Sequence, residues 1–118
     1  MSRFLLLLRD DPSVFSSLSP DQMQAIIRRY IAWGQRLREA NRVISSEKLK
    51  DDEGRVVTRK DEKPLATDGP FAESRELVGG FYLIDARDYD DAVKLVADCP
   101  HLEFGSIEIR EIQTMSRP

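Results

Sequence analysis

The chain has one cysteine and one histidine in 118 residues, and it has no basic block and no long hydrophobic run. A single cysteine, Cys99, forms no internal disulfide and leaves no Cys-based zinc site. Near the end of a predicted helix, Cys99 reads as a small buried hydrophobe. The longest apolar stretch, Phe4–Leu8, is bounded by Arg3 and by Arg9-Asp10-Asp11. Five residues are too few for a signal sequence or a membrane span, so a cytoplasmic protein with no membrane partner is expected. Charges of both signs are spread along the chain and sum to 18 − 21 = −3. Without a basic face interleaved with aromatics, nucleic acid is not an expected partner. No Gly-rich phosphate loop, Ser nucleophile elbow or Cys–His pairing occurs in a credible context, and no cofactor is expected.

Hydrophobic residues make up 41% of the chain and charged residues 33%, the balance of a folded domain rather than a disordered segment. The length fits one domain over residues 1–118, with 113–118 as a patternless tail. Phe4–Leu8 reads as a strand covered on both faces, either central in its sheet or capped by another subunit. Asp10-Asp11-Pro12-Ser13 ends it. Ser19-Pro20-Asp21-Gln22 carries a capping residue, a proline at the first helical position and the glutamine of a capping box. Met23, Ile26, Ile27, Tyr30, Ile31 and Leu37 then recur at helical spacing to about residue 40, with Trp33 off the stripe. Asn41 ends the helix.

Val43–Leu49 and Arg55–Arg59 read as a hairpin around the acidic turn Asp51–Gly54. A solvated turn, rather than a metal site, is the expectation for those carboxylates. Gly80–Ala86 is a further strand. Asp88 opens a second helix with Ala92, Val93, Val96 and Cys99 inward, and Pro100 stops it. Ser106–Ile112 alternates as the last strand. The order predicts an α+β, ferredoxin-like β-α-β-β-α-β fold: an antiparallel sheet with two helices on one face. The uncovered face then holds apolar residues of the first and third long strands. A homodimer would bury them.

Thr67–Phe81 exceeds what a connector needs. Asp68-Gly69-Pro70 is turn chemistry, Phe71 is a candidate anchor, and Ala72–Glu76 fits one helical turn with Glu73 and Glu76 on one side. Gly79-Gly80 permits a bulge or a close backbone approach. In one reading Asp68, Glu73 and Glu76 are structural ties. In the other they converge with Gly69, Pro70, Phe71 and Tyr82 on a pocket for a small molecule. Their spacing matches no dedicated metal loop. His101 and Asp68 are the candidate proton carriers, since His101 is the only side chain that titrates unperturbed near neutrality. The competing reading makes His101 a surface polar residue.

Asp68–Glu76 followed by Gly79-Gly80-Phe81-Tyr82-Leu83 resembles the signature of the DGPF-type proteins of the YCII-related family. The N-terminal strand, the helix opened by Leu18-Ser19-Pro20 and the closing Ile107–Arg110 strand extend the likeness over nearly the whole chain. The resemblance implies a dimeric α+β barrel with a cleft between helix and sheet edge near the DGPF turn. It also implies acid–base chemistry of a lyase or isomerase type, carried in that family by a His–Asp pair. The first half of this chain has no histidine, so an early partner for that pair has no counterpart here. Some relatives lie beside genes for extracytoplasmic-function sigma factors, which implies the alternative: a regulatory or interaction module that does no chemistry.

Overall fold

The computed structural model describes residues 1–69 and 77–115. The N-terminal apolar run lies within strand β1, Ser2–Asp10, which pairs antiparallel with β5, Leu77–Ala86, on one side and β6, Gly105–Glu111, on the other. Strand β2, Val43–Lys48, pairs with the outer edge of β5, giving the order β2-β5-β1-β6. Helices α1, Pro20–Glu39, and α2, Tyr89–Val96, complete a ferredoxin-like α+β fold. β1 is thus a central strand.

Side chains alternate across the sheet, so Phe4, Leu6, Leu8 and Asp10 all face the helices. The first three join Ile84, Trp33, Leu37, Ala92, Val96 and Cys99 in one buried core. Leu5, Leu7, Phe81 and Leu83 lie in register on the opposite face, which no helix among the described residues covers. The opening of α1 follows from its sequence. Ser19 Oγ accepts from Gln22 N–H at 3.1 Å, and Gln22 Oε1 accepts from Ser19 N–H at 2.9 Å. At its end Asn41 takes a positive φ of 59°, and Arg42 N–H reaches back to the Leu37 carbonyl at 2.9 Å. That is the Schellman stop an asparagine can supply.

Three expectations need correction. Trp33 is not peripheral: it is 1% exposed, and the sheet-facing part of α1 is Trp33, Gly34 and Leu37. Val93 is exposed rather than inward, because the face that α2 buries carries Asp91, Ala92 and Val96; the helix ends at Val96, and Pro100 opens a 3-10 turn, Pro100–Glu103. Third, Arg55–Lys60, β3, does not return along β2. It pairs with β4, Lys63–Asp68, in a separate two-stranded sheet. Its turn is Asp61-Glu62, both at positive φ (51° and 65°), the geometry of a two-residue hairpin loop. Asp51–Gly54 is a connector. No residue of β3 or β4 is buried.

Candidate functional site

The apolar stripe of α1 divides in two. Its C-terminal half closes on the sheet, where Gly34 allows the approach: a Cβ there would sit 3.0 Å from both Tyr82 Oη and Arg38 Nη1. Trp33 packs edge-on against Tyr82, with ring centroids 5.0 Å apart. The N-terminal half does not close. Met23, Ile26, Ile27 and Ile31 instead form the wall of a cavity of about 490 Å³ between α1 and the strands β1, β2 and β5. That volume lies within the range of small-molecule sites.

The polar end of the cavity lies where β1 finishes. Asp10 is the last inward residue of the strand, 8% exposed. Its carboxyl receives no hydrogen bond from the described residues. Burial pushes its pKa above the ordinary carboxylate value, and the nearby Asp51 and Asp11 charges add to that, while His101 and Lys48 oppose it. β5 accommodates this carboxyl with a bulge. Leu8 pairs with Gly80 and Arg9 with Val78, leaving Gly79 unpaired. A Cβ on Gly79 would lie 3.6 and 3.7 Å from the Asp10 oxygens and 3.7 Å from Asp51 Oδ1. The glycine pair therefore forms the bulge its composition suggested, and its flat backbone lets two carboxyls approach one point. Asp51 pairs with Lys48 at 2.8 Å.

Beside Asp10 stands His101, 2% exposed. Its Nε2 lies 2.8 Å from the Arg9 carbonyl oxygen and its Nδ1 lies 2.8 Å from Tyr30 Oη. A carbonyl only accepts, so Nε2 carries the proton; in the neutral ring Nδ1 then accepts from the Tyr30 hydroxyl. Burial pushes the Tyr30 hydroxyl well above the ordinary phenol value, so it stays protonated. The Arg29–Glu103 ion pair, 2.6 Å, ties the 3-10 turn carrying His101 to α1. On the other side, Gly105 lets β6 close on β1, since a Cβ there would collide with the Arg9 carbonyl oxygen that holds His101. Asp10, Tyr30 and His101 thus form a set of proton-handling groups at one end of an apolar cavity.

Of the residues singled out in the sequence, the structure brings His101 and Tyr82 to this cavity. His101 is not a surface polar residue. Asp68 sits at the end of β4, its side chain 94% exposed and 3.3 Å from Arg55, and Gly69 packs beside Val56. Neither lines the cavity. Pro70, Phe71, Glu73 and Glu76 lie outside the described residues. Asp10 and Tyr30 are additions. Asp10 could have been found from its phase, since it continues the inward alternation of Phe4, Leu6 and Leu8. Among the described residues no three His, Cys, Asp or Glu side chains gather as a metal-holding group. No helix among them is long and apolar enough to cross a membrane.

The likeness noted in the sequence is matched by comparison: residues 2–116 fit the YCII-related domain. The chain belongs to the YCII-related domain family. This YCII-related chain is also similar to an uncharacterized protein of Rhizobium meliloti (strain 1021). The two are 29% identical over 112 residues, covering 92% of this chain and 90% of that protein.

Proposed function

We propose that this YCII-related protein is a homodimer that binds a small molecule in the α1–sheet cavity and moves a proton there. The observation that carries the reading is Asp10. It is a buried carboxyl that receives no hydrogen bond from the described residues, in an apolar cavity beside a phenol and an imidazole already linked to each other. Leaving a carboxyl in such a place costs stability, and proteins retain such costs chiefly at functional sites. A carboxyl shifted upward by burial and held next to a Tyr–His pair suits general acid–base catalysis near neutral pH. Tyr82 and His101 belong to this site.

The homodimer reading rests on the open sheet face, where Leu5, Leu7, Phe81 and Leu83 stand together. A second copy pressing the same face against it would bury that patch. Sedimentation at micromolar concentration should give a dimer; a monomer overturns this part. The ligand reading is tested by the fluorescence of Trp33, the single tryptophan, which touches Tyr82 at the cavity wall. A screen of small metabolites should give hits that change the emission of wild type and lose affinity in Asp10→Asn. Hits with equal affinity for both proteins would sink the role of Asp10.

A second reading, an interaction module without chemistry, is favoured by the β3–β4 hairpin. Val57 and Leu65 are exposed on it, and two-stranded hairpins standing alone are marginal in water. Under that reading the screen returns no hits at all, and Val57→Lys disturbs the protein's associations without affecting its stability.

A further inference from the structure

The walls of the cavity also say what kind of molecule it selects. Among the described residues its acidic lining groups are Asp10, Glu47 and Asp51, and its single permanently cationic one is Lys48. Lys48 is already engaged: its Nζ donates to the Leu49 carbonyl at 2.6 Å and to Asp51 at 2.8 Å. No described arginine lines the cavity; the nearby Arg38 donates to the Ser46 hydroxyl at 2.8 Å. Both nitrogens of His101 are occupied by Arg9 and Tyr30. Among the described residues the cavity therefore has no uncommitted positive group to offer an anion. It does have a carboxyl, Asp10, that no described residue partners and that is 8% exposed. The Tyr30 hydroxyl, with its proton committed to the hydrogen bond with His101, presents only lone pairs to an incoming group. Above this end, Phe15, Ile26, Ile27 and Ile31 offer apolar surface.

We propose that the cavity takes a protonated amine on an apolar, alkyl or aryl, body, with the ammonium donating to Asp10 and the body lying against α1. This deepens the reading of the cavity as a ligand site and rests on it. An ammonium supplies the three donors the carboxyl end lacks. It also offsets the surplus negative charge of Asp10, Glu47 and Asp51 over Lys48. A carboxylate or phosphate ligand would add to that surplus in a low-dielectric site, where like charges are costly.

Three probes of similar size separate the possibilities: 2-phenylethylamine, 2-phenylethanol and 3-phenylpropanoate. Each is titrated into wild type and Asp10→Asn by calorimetry at pH 7. The amine should bind wild type about tenfold or more tightly than the alcohol, the worth of one charge-assisted hydrogen bond, and the carboxylate should bind most weakly. In Asp10→Asn the advantage of the amine over the alcohol should fall to about twofold or less. Equal or tighter binding of the alcohol or the carboxylate to wild type overturns the amine assignment and leaves the cavity reading standing. An amine preference that survives Asp10→Asn also overturns it. If none of the three binds, the amine proposal fails. Hits in the Trp33 screen would then keep the cavity reading, whereas a blank screen would remove both.

Discussion

Replacing Tyr30 by phenylalanine removes one oxygen and tests the geometry around His101. In the wild type the hydroxyl sits 2.8 Å from Nδ1 of an imidazole that is 2% exposed. Its loss leaves a buried acceptor without a donor, a defect of roughly 1–3 kcal/mol. Tyr30 is only half-buried at the cavity wall, so water can replace part of the bond, and about 1–2 kcal/mol is expected. A chain of 118 residues unfolds with an entropy of roughly 0.25 kcal/mol/K, so Tm should fall by roughly 4–8 °C. Urea unfolding at pH 7 measures the loss, with an unchanged m-value showing that the unfolded state is not the cause. In a His101→Asn background the same substitution should cost less than about 0.5 kcal/mol, since the partner is gone. Nitrogen NMR of His101 should show the proton on Nε2. A loss under about 0.3 kcal/mol, or a proton on Nδ1 in the neutral ring, would refute the Arg9–His101–Tyr30 chain.

Other consequences concern the groups around that chain. Asp10→Asn should raise Tm at neutral pH. A carboxyl whose folded pKa lies above its unfolded value of 3.8 makes stability fall as pH rises through that window. The two proteins should therefore converge in thermal melts below about pH 3.8. Gly105→Ala drives a Cβ into the Arg9 carbonyl and should cost at least about 2 kcal/mol. It should also move the His101 ring resonances, which a merely looser edge strand would leave in place. Asp91 accepts from the Arg87 backbone N–H at 2.9 Å and from the Arg87 and Arg42 side chains, and these bonds hold its pKa down to about 2. Its contribution is present above the unfolded value of 3.8 and is lost as pH falls towards 2. An Asp91→Asn variant should show a shallower acid limb in the same melts. The Cys99 thiol, 3% exposed and pushed up to about 11 by burial, should resist a thiol reagent at pH 8 until urea opens the fold.

The local signals that could be read from the sequence were those whose physics is local. The Ser19–Gln22 capping box, the Asn41 stop, the Asp88 cap and the strand runs each need only neighbouring residues. Gly79-Gly80 announced a bulge because glycine in a strand has few other uses. The β3–β4 hairpin was hidden because its turn is Asp61-Glu62 rather than a glycine- or asparagine-containing pair. Pro64 also lies inside β4, where proline argues against a strand. The site was half legible. Tyr82 and His101 stood out by residue type, but the burial of His101 depends on Arg9, 92 residues earlier. Asp10 looked like the end of a strand and Tyr30 like core. Only the register of β1 against β5 shows that the strand carries a carboxyl inward beyond its apolar run. Trp33 and Ile31 exchange their expected roles because α1 meets the sheet at one end only, a tertiary fact that helical periodicity does not contain.

The account stands on Asp10 being a buried carboxyl held open for a ligand, and carbon-13 NMR of its side chain tests this most directly. Titration of the carboxyl in wild-type protein should give a midpoint above 3.8, displaced in the direction burial dictates, and 2-phenylethylamine should bring it down. A midpoint at or below 3.8 in the free protein would mean that donors already satisfy Asp10, and the cavity would lose the group that defines it.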